Sequence, residues 1–143
     1  MSNEIFDENK VDWQQLPDTD HVWLSILDVD DTAKVVDVLF KFAAKEKIVM
    51  HRHVAAFNTF VVKGEHRIYT TEGELKEVRP AGTYKAGKPD VEPHTEGGGD
   101  SDVIILFSLR PYDNGPIYEI LDENLEVAST MTFDELKEMH EAA

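Results

Sequence analysis

The amino-acid sequence predicts an all-β fold with one short helix at the C-terminus. Three observations carry this. Short apolar segments recur along the chain, with Gly, Pro, Asn and Asp clusters between them. The clearest of them, residues 35–42, sets Val36, Val38, Phe40 and Phe42 against Asp37 and Lys41, the period-2 alternation of a half-buried strand. The stretch from Thr132 carries a helical start signal followed by an apolar face.

The elements follow in order. Residues 1–20 are polar and read as an arm with little regular structure, anchored by Trp13 and Leu16. Residues 22–27 form a strand. Asp28, Asp30 and Asp31 follow, but a calcium loop of the EF-hand type needs Gly sixth and Glu twelfth, where this chain has Ala33 and Leu39, so a turn is expected. Residues 48–57 and 58–63 read as two successive strands, and Lys63-Gly64 as a turn. Residues 66–71 and 75–79 flank the hairpin Glu72-Gly73-Glu74. Gly97-Gly98-Gly99 is a poor strand and reads as a mobile loop, either a hairpin tip or a lid. Residues 103–109 are the most apolar run and form a central strand. Residues 117–121 and 125–128 flank a further hairpin at Asp122-Glu123-Asn124. Thr132 with Glu135 makes a capping box, opening a helix with Phe133, Leu136 and Met139 on one face. One domain over 1–143 is expected, with an arm at 1–20, a barrel at 21–130 and a helix at 132–141.

Composition narrows the function. At 143 residues and 41% hydrophobic, the chain can bury a core of its own. It has no apolar run near membrane-spanning length and no charged-then-apolar leader, so no membrane association is expected, and a cytoplasmic home fits. Cysteine is absent, which leaves histidine and carboxylate as metal ligands. The formal net charge of −15 is concentrated in the two ends and repels phosphate backbones, so no nucleic-acid binding is expected.

The chemistry is concentrated between His51 and His94. Two histidines two residues apart on a strand share a face, so His51 and His53 form half of a metal site. His94, returning on a later strand, completes a three-nitrogen site if the sheet curls into a barrel. The plain alternative is a chance pair among six histidines.

These residues resemble the cupin superfamily over about residues 35–130. Its first motif, His-x-His, a Glu four or five residues on and then a Gly, is similar to His51-Arg52-His53 followed by Gly64. Asn58, or Phe57 on the shorter count, stands at the Glu position. Its second motif is similar to Gly82, Pro89, Pro93 and His94. The frame looks most like the 2,4'-dihydroxyacetophenone dioxygenases, in a branch with the acetylacetone-cleaving dioxygenases and the cupin of ChrR-type zinc anti-sigma factors. The resemblance implies an RmlC-like jelly-roll β-barrel and a divalent metal on His51, His53 and His94, with Fe(II) first and Zn(II) or Ni(II) as alternatives. It implies a homodimer, for which residues 103–109 and the arm offer an interface.

The function implied is dioxygenolytic cleavage of a carbon–carbon bond beside a carbonyl in a small β-diketone or hydroxyketone. The alternative is a metal-binding sensor module without oxygenase activity. Asn58 reads either as leaving the metal open to an anionic chelate or as the mark of a site that has lost its metal. By alternation with Phe60 and Val62 it is expected to look into the barrel. His66, Phe60, Tyr69, Tyr84 and Glu96 are expected beside the ligands or facing the substrate, and Arg67 is a candidate for substrate charge.

Overall fold

A computed structural model of the chain describes residues 6–17, 19–89 and 92–143. The first five residues of the expected arm, Asp18 and residues 90–91 lie outside the described residues. Twelve strands and one helix follow in order: β1 Gln14–Gln15, β2 Val22–Asp30, β3 Val35–Phe42, β4 His51–His53, β5 Ala56–Lys63, β6 Glu65–Tyr69, β7 Leu75–Pro80, β8 Tyr84–Gly87, β9 Thr95–Gly97, β10 Val103–Arg110, β11 Pro116–Leu121, β12 Val127–Thr132 and α1 Phe133–Ala142. The all-β expectation with a C-terminal helix holds.

Six strands form one sheet in the order β1-β2-β3-β10-β5-β8. Two three-stranded sheets, β12-β11-β4 and β7-β6-β9, form the rest. Antiparallel bridges at Lys47–Gly97 and His51–His94 join those two. The result is a jelly roll, with the inward side chains of both layers making one core. Val36, Val38, Phe40 and Phe42 of β3 and Val103, Ile105, Phe107 and Leu109 of β10 are buried in it. β10 is hydrogen-bonded to β3 on one edge and β5 on the other, so it has no free edge to offer a second copy.

The arm is more ordered than its composition suggests. Asp7 caps a 3-10 turn at Glu8–Lys10, and β1 pairs with the edge of β2. Glu8 fastens it, meeting Lys41 at 2.7 Å and Lys63 at 3.0 Å. The aspartates after β2 make a turn as expected, since Asp30 Oδ1 accepts from the backbone of Thr32 and Ala33.

The chain switches sheets between β4 and β5, one strand break earlier than expected. Val54 and Ala55 both donate their N–H groups to the Ile117 carbonyl at this corner. The inward parity of the histidines continues across it: Ala55, Thr59 and Val61 are buried, while Phe60 is 40% exposed. Asn58, Phe60 and Val62 therefore face away from the core. The bulk of Phe60 suggested the wrong face.

The triple glycine is neither a hairpin tip nor a lid. Gly97 ends β9, pairing with Arg67, and all three glycines are buried. A Cβ on Gly97 would collide with the Glu46 carbonyl, and one on Gly98 would sit 2.8 Å from the Ser101 carbonyl oxygen. Glycine is needed here for close backbone approach, which composition cannot distinguish from mobility. At the C-terminus, Thr132 caps α1 by accepting from Glu135 N–H at 3.2 Å, and Phe133 and Leu136 are fully buried.

The packing at the glycines sets an order of tolerance. Gly97→Ala is expected to cost about 1–3 kcal/mol in urea unfolding, because the backbone of Glu46 cannot step aside. Gly99→Ala, whose nearest neighbours are the flexible Glu65 and Arg67 side chains, is expected to cost less. Equal costs for the two would contradict this account.

Candidate metal centre

His51 and His53 project inward from β4 and are both 4% exposed. His94 sits directly across from His51, with each backbone N–H donating to the other's carbonyl at 3.0 and 2.9 Å. Directly opposed residues in an antiparallel pair place their side chains side by side, and the two rings lie 4.5 Å apart. Glu96 is two residues beyond His94, so strand alternation puts it on the same face. One ligand atom from each of His51, His53, His94 and Glu96 lies within 4.8 Å of the others. Four bonds of about 2.0–2.2 Å to one central ion nearly bridge that span.

The hydrogen bonding fixes which atoms face inward. His51 donates its Nδ1–H to the Val49 carbonyl at 2.8 Å, and His94 Nδ1 points at the Glu92 carbonyl at 3.3 Å. A carbonyl only accepts, so Nδ1 carries the proton on both rings. On a ring that carries only this one proton, Nε2 is then a lone pair aimed at Glu96 Oε2, 3.2 Å from His51 and 3.0 Å from His94. Lone pairs facing an anionic oxygen repel unless a cation lies among them. Two extra protons would make two touching imidazoliums, whereas one divalent ion satisfies all the donors at once.

The charges agree with that arrangement. Burial alone would raise the Glu96 carboxyl, but the imidazoles of His51, His66 and His94 around it outweigh that and hold the group well below the usual carboxylate value. Glu96 is therefore an anion. Burial, followed by the neighbouring His51 ring, pushes His53 well below the ordinary imidazole value, so that ring is neutral. His53 Nδ1 is buried without a hydrogen-bond partner. The residues present fit a divalent metal.

The expected residues around the histidines divide. His66 faces inward and is 2% exposed, and its Nε2 meets the other Glu96 oxygen, Oε1, at 3.0 Å. It holds Glu96 in place and is not part of the four-residue cluster. Glu96 itself is the correction with most consequence: the site does contain a carboxylate, supplied by β9 instead of β5. Phe57, at the motif's Glu position on the shorter count, stacks on the His53 ring at 3.9 Å.

Asn58 is not at the site. On the outer face, its amide oxygen accepts from the Tyr84 hydroxyl at 3.0 Å and Arg110 at 3.2 Å. Phe60 and Tyr84 are on that outer face too, 40% and 60% exposed. Tyr69 alternates out of phase with His66 and stacks beneath the Lys47 ammonium, 4.0 Å from its ring centroid. Arg67 pairs with Glu65 instead of facing a substrate.

The cluster opens onto a cavity of about 840 Å3. Tyr118 and Ile120 line it because they lie directly across β11 from His53 and His51. Burial, with the Glu135 and Glu96 charges, raises the Tyr118 phenol, so it stays protonated. Sequence reasoning missed Tyr118, and only the β4–β11 register reveals it.

The crystal structure of an RmlC-like cupin from Ralstonia eutropha JMP134 is similar over 99% of this chain and 87% of that one, with TM-score 0.76 and 16% identity. An acetylacetone dioxygenase from Acinetobacter johnsonii matches with TM-score 0.70 and 15% identity, over 99% of this chain and 92% of that one. The anti-sigma factor ChrR of Rhodobacter sphaeroides, solved in complex with SigE, matches with TM-score 0.57 and 20% identity, over 71% of this chain and 51% of that one. At these identities the likeness concerns the fold alone. No curated protein matches the sequence. The family model of the ChrR Cupin-like domain matches residues 1–113, most of the chain, and the protein belongs to that family of cupins.

Proposed function

We propose that this protein is a metal-dependent cupin dioxygenase, cleaving a carbon–carbon bond beside a carbonyl in a β-diketone or hydroxyketone. His51, His53, His94 and Glu96 hold the divalent metal, and Fe(II) is the working ion. The observation that carries this reading is that the buried donor cluster opens directly onto a substrate-sized cavity. A divalent ion held there would supply Lewis-acid stabilisation of negative charge on a substrate oxygen, and iron would also supply redox chemistry with dioxygen.

The chain's own residues prepare that chemistry. The Val49 and Glu92 carbonyls orient His51 and His94, and His66 orients Glu96. Phe57 and Phe107 flank the His53 ring and keep water from that side. In the overall reaction the carbon–carbon bond breaks and both atoms of O2 enter the two fragments, so no external reductant is needed.

A second reading has one observation in its favour. Four buried protein donors match the closed, four-coordinate arrangement of a structural zinc site. On that reading the protein is a zinc-holding sensor whose cavity takes a ligand without turnover.

Two measurements separate and test these readings. The purified protein is expected to bind one divalent ion per chain, and His94→Ala to lose it on dialysis. His66→Ala, which removes the partner of Glu96, is expected to weaken metal binding about 10–100-fold. Full metal occupancy in both variants would remove this cluster as the metal site. The Fe(II)-loaded protein is expected to consume oxygen with β-diketones or aryl hydroxyketones, and the Zn(II)-loaded protein is not. Tight zinc binding with no oxygen uptake by the iron form would favour the sensor.

A further inference from the structure

The cavity beside the cluster is much larger than a small diketone requires. Its volume of about 840 Å3 lies near the upper end of the range for drug-sized ligands, roughly 300–1,000 Å3. Its walls are mostly apolar. Phe40, Phe42 and Phe107 come from the six-stranded sheet, Ile120 from β11, Met131 from β12 and Met139 from α1. Besides Thr19, His21 and the Tyr118 phenol, the polar groups fall into two sets. His51, His53 and Glu96 form the inner end, and all three are nearly fully buried. Lys47, Ser129, Thr130, Glu135 and Glu138 belong to the exposed rim.

A five-carbon diketone on the cluster would leave most of these apolar walls against water. A longer hydrocarbon would displace that water, and burial favours it at each added methylene. The rim adds a sign. Glu135 and Glu138 stand where the outer part of a long ligand would emerge, so a negative charge there is disfavoured. Of the basic groups at this end, Lys47 is engaged over the Tyr69 ring and His21 is paired with Asp20.

We infer that the cavity takes a bulky, uncharged hydrocarbon body bearing a single oxygen-rich end, with that end directed at His51, His53 and Glu96. The orientation rests on the reading of the cluster as a metal site; the hydrocarbon body rests on the cavity alone. Two flexible methionines, Met131 and Met139, suit a wall that adapts to ligands of different shape.

The test is calorimetric titration of the homologous series pentane-2,4-dione, heptane-2,4-dione and nonane-2,4-dione. It uses the Zn(II)-loaded protein, which binds without turnover, and the metal-free protein. Affinity is expected to rise about fourfold per methylene along the series. An analogue of the longest member ending in a carboxylate is expected to lose most of that gain. Met131→Trp, which narrows the cavity, is expected to weaken nonane-2,4-dione binding more than pentane-2,4-dione binding and so to flatten the series. Flat or falling affinity along the series in the unaltered protein would overturn the inference, even if zinc strengthens every member. A rising series that is identical with and without zinc would support the hydrocarbon body and instead defeat the metal-chelation reading.

Discussion

A buried negative charge governs this structure. Glu96 is 2% exposed and ionised, and moving an unpaired carboxylate out of water costs several kcal/mol even after the protein relaxes. Its two oxygens divide the work of compensation. Oε1 meets His66 Nε2 at 3.0 Å, an ordinary hydrogen bond when that nitrogen carries the proton. Oε2 meets His51 and His94, whose proton-bearing nitrogens are already turned to the carbonyls of Val49 and Glu92. A cation among these groups would satisfy the Oε2 side, whereas the Oε1 side already has its hydrogen bond. The asymmetry distinguishes the ligands from the residue that positions them, although all three histidines touch the same carboxylate.

The backbone delivers that carboxylate by close approach. β9 is only three residues long, yet it is held by β6 on one side and by the Lys47–Gly97 bridge on the other, with His94 just before it bridged to His51. The bridge at Lys47 brings the Glu46 carbonyl so close to Gly97 that no side chain fits. With a larger residue at 97 the strand would have to move outward, and Glu96, one residue away, would move with it. The glycine run thus serves the site through sterics, and its meaning is fixed by a contact fifty residues away in the sequence.

This explains what could be read from the sequence and what could not. The His51–His53 pair was legible because its geometry is local: two residues on one strand always share a face. His94 was legible from chemistry, as the remaining ligand type in the right segment of an all-β chain. Glu96 obeys the same local rule relative to His94, but carboxylates are so often solvated that its residue type argued against it. Asn58 failed for a different reason. The inward parity set by His51 and His53 continues unbroken through Ala55 to Val61, so Asn58 was assignable to the outer face had the histidines been used as the phase marker instead of Phe60. Tyr118 was beyond reach, since its place depends on the register of β11 against β4, which no nearby residue specifies.

The chain's charge and its cavity point in opposite directions, and the difference bears on how the site would select a ligand. The protein carries a formal −15, yet the space next to the cluster is walled chiefly by phenylalanine, isoleucine and methionine. Such walls lower the local dielectric, which strengthens each remaining electrostatic interaction. With a divalent ion bound, three neutral imidazoles and one carboxylate would leave one net positive charge at the inner end. An oxygen anion on an uncharged body is attracted to that point, whereas a second anionic group on the same ligand would meet the glutamates of α1 at the rim. Selectivity in this arrangement comes from where polarity is absent, with the cluster and the apolar walls acting on opposite ends of one ligand.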